Sequence, residues 1–336
     1  MKKLDFADYL ELFFSRYVFL QRGLSPNTVS SYSDSLLLFF RFCDEAKDIK
    51  PNKLTLSAIS KQLILDYCDW IESTLNCSIA TRNQRLTAIH AVFRYIQVES
   101  PAHVALSRDI LSIRMKKNKQ EPPRYLSTEA VKAVLALPDA KTKKGVRDLA
   151  ILCLLYDSAV RVQELIDLKL GDITQGNPSV VRVTGKGNKQ RVVPLLPATA
   201  NILALYIRKY GLENKERHIF TNSSNNPLTR VGVNYILNKY VDMVKDKWPD
   251  LITIKVTPHI IRHSKATHLL AADVNLIYIR DLLGHSSVIT TEVYAKTNPE
   301  FLRRSIEKTS NHIFGEVQES PPEKHRLPEF LKQYRV

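Results

Sequence analysis

The chain has 336 residues, more than one core usually supports, so two domains are expected. At 44% hydrophobic and 25% charged residues, its composition is that of an ordinary soluble globular protein. Forty-nine Lys and Arg against 34 Asp and Glu leave a formal charge of +15, which favours a polyanionic partner, most simply nucleic acid. The N-terminus turns acidic at Asp5, Asp8 and Glu11 with no apolar signal core. The apolar run Leu36 to Phe40 is far too short to span a membrane. Cys43, Cys68, Cys77 and Cys153 show no CxxC pair and no zinc-like spacing. They read as buried reduced thiols, which fits a reducing cytoplasm.

Residues 1–110 read as a small bundle of four or five helices. Leu10, Phe13, Phe14 and Tyr17 recur at helical spacing. Ser25 is a candidate N-cap with Pro26 at the first helical position, ahead of the stripe Val29, Tyr32, Leu36, Phe39 and Phe40. Ser60 precedes Ile64, Tyr67, Cys68 and Ile71, and Ser78 precedes Leu86, Ile89, Phe93 and Ile96. The last of these helices carries Arg82, Arg85 and Arg94. Arg82 and Arg85 are candidate DNA contacts, with a solvated face as the plainer alternative.

Residues 111–125 read as a basic linker, with Lys116 and Lys117 placed to lie along phosphates and the Pro122-Pro123 pair keeping the chain extended. A second domain over residues 126–312 opens at Leu126-Ser-Thr-Glu129, which resembles a capping box before a helix. Arg147 to Tyr156 is an apolar helix. Val180 to Thr184 and Gln190 to Leu195 are β-rich runs flanking Gly185-Lys186-Gly187-Asn188-Lys189, the pattern of a hairpin. From Thr199 the pattern is mostly helical again. Residues 313–336 form a Pro-rich charged tail with Leu327, Phe330 and Leu331 as its apolar group. The fold class is thus mainly α, with a helical N-terminal domain and a mixed α/β second domain holding a small antiparallel sheet.

The chemistry concentrates near the C-terminus. His259, Arg262, His285 and Tyr294 lie within 36 residues. Cleavage of a phosphodiester by a phenol needs help in three places. The phenol must ionise from a pKa of ~10, the non-bridging oxygens must be neutralised, and the leaving oxygen must be protonated. Arginine forks suit the second task. Arg161 with Glu164 and Lys186 in the hairpin add a cation and a proton donor, though each alone has a bland surface reading. His259 and His263 stand four apart, but Ile260 occupies the place where a metalloprotease helix needs Glu, and no carboxylate cluster is near. No metal and no cofactor are expected. The hairpin glycines lack the phosphate-loop spacing, which excludes nucleotide binding there.

The order and spacing of these residues resemble the tyrosine recombinase, or phage integrase, family, in its two-domain Xer-like or transposon-type form. The first arginine box is similar to Ala159-Val160-Arg161 with Glu164, and the hairpin lysine to Lys186. The remaining boxes are similar to His259-Ile-Ile-Arg262-His263, Leu283-Gly284-His285-Ser286 and Tyr294. Ala159 departs from the usual glycine, and its small size promises little consequence.

The resemblance implies a helical, SAM-like core-binding domain and a catalytic domain forming a C-shaped clamp on DNA. It implies that Tyr294 attacks the phosphate and Arg161 and Arg262 clamp it. His285 would hydrogen-bond it, Lys186 would protonate the leaving 5′-oxygen, His259 would assist Tyr294, and Glu164 would orient the site. Lys189 and Arg191 are further candidate DNA contacts. The implied partners are a double-stranded recombination site and a homotetramer on DNA that works through a Holliday junction, with the tail docking on a neighbouring protomer. Alternatives are a catalytically silent DNA-binding protein and a type IB topoisomerase-like enzyme.

Overall fold

The computed structural model describes residues 5–118, 123–285, 287 and 291, and the chain divides into two compact units, Met1–Gln120 and Glu121–Val336. Tyr294, residues 295–312 and the tail with Phe330 and Leu331 lie outside the described residues.

The first unit is helical: α1 (Phe6–Leu12, continued by a π-helical turn, Phe13–Gln21), α2 (Pro26–Lys47), α3 (Lys61–Ser73), α4 (Ile79–Glu99) and α5 (Val104–Leu111). The expected caps form. Ser25 accepts from the Thr28 N–H, Ser60 from Leu63 and Ser78 from Thr81, each satisfying an amide that the helix start leaves unpaired. Phe6, Phe39, Phe42, Tyr67 and Phe93 are buried together, with Phe39 and Tyr67 edge to face at 5.3 Å. Each such ring contributes on the order of 2 kcal/mol by burial. The chain beyond α5 stays with this unit. Ile113 is buried, and Asn83 brackets Lys116 by donating to its carbonyl (2.8 Å) and accepting its N–H (3.1 Å).

The second unit contains α6 (Thr128–Ala136), α7 (Lys143–Asp157), α8 (Val162–Asp167), β1 (Ile173–Thr174), β2 (Val180–Thr184), β3 (Gln190–Pro194), α9 (Pro197–Tyr210), α10 (Arg230–Lys247), α11 (Pro258–Ala271) and α12 (Leu276–Leu283). The sheet is antiparallel in the order β1-β2-β3, with Val183 opposite Arg191. The hairpin runs β2 to β3 as its glycine turn predicts, whereas β1 is too short to signal itself. The capping box at α6 does not form. Ser127 alone caps it, accepting from Ala130, because Glu129 stands one residue early and accepts from the Thr128 hydroxyl instead.

Helix α7 is largely buried, with its Val146, Ala150, Ile151, Leu154 and Leu155 in the core. Its last residue, Asp157, is buried and accepts the Leu196 N–H at 2.9 Å, tying the end of α7 to the strand-to-helix corner before α9. A smaller apolar cluster of Ala159, Ala266, Leu270, Ile279 and Leu283 seats α12 on α11. Cys43, Cys68 and Cys153 are buried free thiols, their pKa values raised by burial to about 11, about 11 and about 12, while Cys77 is half-buried. No helix among the described residues is long and apolar enough to cross a membrane.

Candidate active site

Three chain turns in the second unit converge on one spot. The first is the break between α7 and α8. Ala159 takes a left-handed backbone there (φ +48°), and Arg161 becomes the N-cap residue of α8. The Arg161 N–H and Nη1 donate to the two oxygens of Glu164 at 2.8 and 2.7 Å. Glu164 is 6% exposed. Burial alone would raise its pKa, but hydrogen bonds from Arg191 and the Arg161 amide outweigh it and hold the carboxylate ionised.

The second turn is the end of α12. Gly284 closes the helix in the left-handed region (φ +61°), and the His285 N–H caps back to the Arg280 carbonyl. A Cβ at Gly284 would also stand 2.9 Å from Arg191 Nη1, so this position needs glycine twice over. The third turn is the β2–β3 hairpin. Lys186 lies in the one-turn 3₁₀ segment Lys186–Asn188, closed by the Gly185 N–H to the Lys189 carbonyl at 2.8 Å.

Arg262 on α11 joins the first two turns. It is 1% exposed, and its Nη1 donates to the Ala159 carbonyl at 2.7 Å while Nη2 donates to the Leu283 carbonyl. Arg161 Nη2 reaches the Gly284 carbonyl at 3.5 Å. His259 and His263, one turn apart on α11, meet edge to face at 4.5 Å. Burial, then the Arg262 and Arg161 charges, lowers the pKa of His259. Burial, then His259 and Arg262, pushes His263 down to about 4, and burial, then Arg262 and Arg161, does the same to His285. These imidazoles are therefore neutral at physiological pH and sit beside two permanent cations. The spot is built for an anion. His285 Nδ1 pairs with the Thr291 hydroxyl at 3.2 Å.

The structure thus brings Arg161, Glu164, His259, Arg262 and His285 together and places the Lys186 hairpin on the same side of the unit through Arg191. Tyr294 lies outside the described residues. The other candidate cations sort themselves by burial. Lys117 and Lys189 are exposed, and Lys116 is exposed and paired with Glu72 at 2.8 Å. Arg85 is half-buried and links α4 to α2 through the Ser35 hydroxyl.

Arg82 and Arg191 depart from the expectation of DNA contact. Arg82 is 3% exposed, 3.4 Å from Glu72 and bonded to the Arg114 carbonyl. Arg191 is bound on both sides inside the second unit. Both are internal struts, and both lie on inward faces of their elements. Arg82 continues the apolar stripe Leu86, Ile89, Phe93, Ile96, and Arg191 shares the inward face of β3 with Val193. A charge on an inward face requires a buried partner.

The phage integrase family model matches residues 124–300, and the N-terminal SAM-like domain of phage integrases matches residues 11–99. A putative integrase/recombinase, y4rC of Sinorhizobium fredii, is 33% identical over 92% of this chain and 93% of its own length. The tyrosine recombinase XerC of Myxococcus xanthus is 32% identical over 84% of this chain and 91% of its own. In structure, the XerH site-specific recombinase bound to palindromic difH substrate in a post-cleavage complex shares the fold, with a TM-score of 0.66 and 22% identity over 86% of this chain and 81% of that one. This chain belongs to the phage integrase family of tyrosine recombinases.

Proposed function

We propose that this recombinase cuts and rejoins DNA at a specific site through a 3′-phosphotyrosyl bond formed by Tyr294. The observation that supports this most is the direct joining of Arg161, Arg262 and the His285 turn, which concentrates guanidinium and imidazole donors where a phosphate would lie. The Tyr294 oxygen attacks phosphorus, and the bond from phosphorus to the 5′-oxygen breaks with its electron pair leaving on that oxygen. Lys186 protonates the leaving oxygen, and neutral His259 takes the phenol proton. Arg161 and Arg262 neutralise the non-bridging oxygens as charge builds on them. His285 serves as a neutral donor to the phosphate through Nε2, the tautomer in which Nδ1 accepts from the Thr291 hydroxyl at 3.2 Å. One ester replaces another, so the step conserves bond energy and calls for neither ATP nor a metal.

A 5′-hydroxyl from a second duplex reverses the step and completes exchange. Two such exchanges in a DNA-bound tetramer, with a Holliday junction between them, give resolution of chromosome dimers or integration and excision of a mobile element in the nucleoid. The excess of 15 positive charges supports a double-stranded DNA partner. The test is a duplex nicked beside the target sequence, with that sequence selected from a random pool by the Tyr294→Phe protein. The wild type should accumulate a covalent protein–DNA species and Tyr294→Phe should not. A covalent species with Tyr294→Phe removes Tyr294 as nucleophile. No species with the wild type favours a silent DNA-binding protein. Catalytic relaxation of arbitrary supercoiled DNA favours a topoisomerase.

A further inference from the structure

Arg191 links the hairpin to the other two turns, bonding Glu164 and the Leu282 carbonyl. It sits on β3 opposite Val183, five residues after Lys186, and its side chain is 13% exposed. Nη1 and Nη2 donate to the two oxygens of Glu164 at 3.2 and 2.8 Å, a bidentate grip, and Nε donates to the Leu282 carbonyl at 2.9 Å. Two glycines clear its path. A Cβ at Gly284 would stand 2.9 Å from Nη1, and one at Gly185 would stand 3.1 Å from Glu164 Oε1. Glu164 in turn holds the Arg161 amide and guanidinium. The tip of the hairpin bearing Lys186 is closed by the Gly185 N–H to Lys189 carbonyl bond.

From this geometry we infer that Arg191 is a positioning residue: it pins the Lys186 hairpin to Glu164 and to the end of α12, so that the proton donor is held at a fixed distance from the phosphate-binding arginines. The inference rests on the roles proposed for Lys186 and Tyr294. Arg161 retains both of its own bonds to Glu164 without Arg191, so loss of the pin falls mainly on the hairpin. The defect should therefore be in leaving-group protonation. DNA affinity should be untouched, because Arg191 is turned inward.

The test uses the full chain and the nicked duplex carrying the selected target sequence, made once with ordinary phosphate and once with a 5′-bridging phosphorothioate, whose sulfur leaves without a proton. Wild-type cleavage is the control for the proposed function. If the wild type forms no covalent species, that reading fails and the inference falls with it. Given wild-type cleavage, Arg191→Met should bind the duplex within about threefold of wild type, cleave ordinary phosphate at least about 100-fold more slowly, and recover to within about tenfold on the phosphorothioate, as Lys186→Ala should. A weakened affinity with normal cleavage at saturation would make Arg191 a DNA contact and overturn the inference. A slowed rate without sulfur rescue would show a collapsed site and also overturn it. Should Arg191→Met fail to fold, Arg191→Lys keeps the charge with a single donor. It should show a smaller rate loss with the same rescue, and absence of rescue there is equally fatal.

Discussion

Arg262 donates to the carbonyl of Ala159 across 103 residues of sequence, at 2.7 Å, from a guanidinium that is 1% exposed. A second donor of the same fork holds the Leu283 carbonyl. Arg262 is therefore structural and electrostatic at once, whereas Arg161, with its side chain 38% exposed, is less committed to packing.

The two arginines should separate in a stability assay although substitution of either should abolish cleavage. Arg262→Met strands two buried carbonyls and should destabilise the second unit by about 2–4 kcal/mol. Arg161→Met leaves Glu164 with Arg191 and the Arg161 amide, and should cost no more than about 1 kcal/mol. Chemical denaturation of both variants reads this directly. Equal losses would show that the burial difference carries no energetic weight.

Ala159 shows why size was the wrong criterion for judging its departure from glycine. Its methyl is accommodated, since the residue is fully buried in the small cluster under α12. The constraint is the backbone, at φ +48°. An alanine there costs about 1–2 kcal/mol relative to an unstrained conformation. Ala159→Gly relieves that strain but loses about 0.8 kcal/mol of methyl burial and about 0.5–1 kcal/mol through the looser unfolded chain. The net change should lie within about 1 kcal/mol of zero. Ala159→Val adds a β-branched side chain at positive φ in a filled space and should destabilise by more than about 2 kcal/mol. A strongly stabilising glycine would mean the methyl contributes nothing to the cluster.

Much of this was legible beforehand because the signals were local. Serine caps, the apolar stripes of α2 to α4 and the glycine turn between β2 and β3 each depend on residues within a few positions of one another. The site residues were legible through their fixed order along the chain. What the sequence hid was pairing at a distance. Nothing near Arg191 names Glu164 or Leu282 as its partners, and nothing near Arg82 names Glu72 or Arg114. An isolated arginine looks the same whether it faces phosphate or a buried carboxylate. Only the face it occupies on its strand or helix separates the two, and that face is certain only once the element's register is known. Glu129 failed as a capping partner for a similar reason, since one residue of register decides whether its side chain can reach back.

DNA affinity should fall steeply with salt. The +15 charge implies many phosphate contacts, and each contact displaces condensed counterions. With several contacts the affinity for the selected duplex should drop by about 10³-fold or more between ~50 and ~200 mM monovalent salt. Fluorescence anisotropy titrations at four salt concentrations give the slope. A flat response would mean that the basic surface does not meet the backbone.

The histidines predict an acid limb in stability that DNA should suppress. His263 and His285 are each held at about 4, against 6.5 for an unfolded histidine. Between these values the unfolded chain binds protons that the folded chain refuses, so stability must fall as pH drops from 6.5 towards 4 and is unaffected by these groups above 6.5. Both rings are only half-buried, so solvent softens the effect, and the direction and window are the firm part. Replacing either with asparagine should flatten the slope in that window without altering stability at neutral pH by the same amount. A phosphate placed among Arg161, Arg262 and His285 would raise the His285 pKa by direct attraction. The His285 share of the acid limb should therefore shrink when the Tyr294→Phe protein is melted on its duplex. If His285→Asn flattens the slope between pH 6.5 and 4 but DNA does not, the phosphate does not sit against His285.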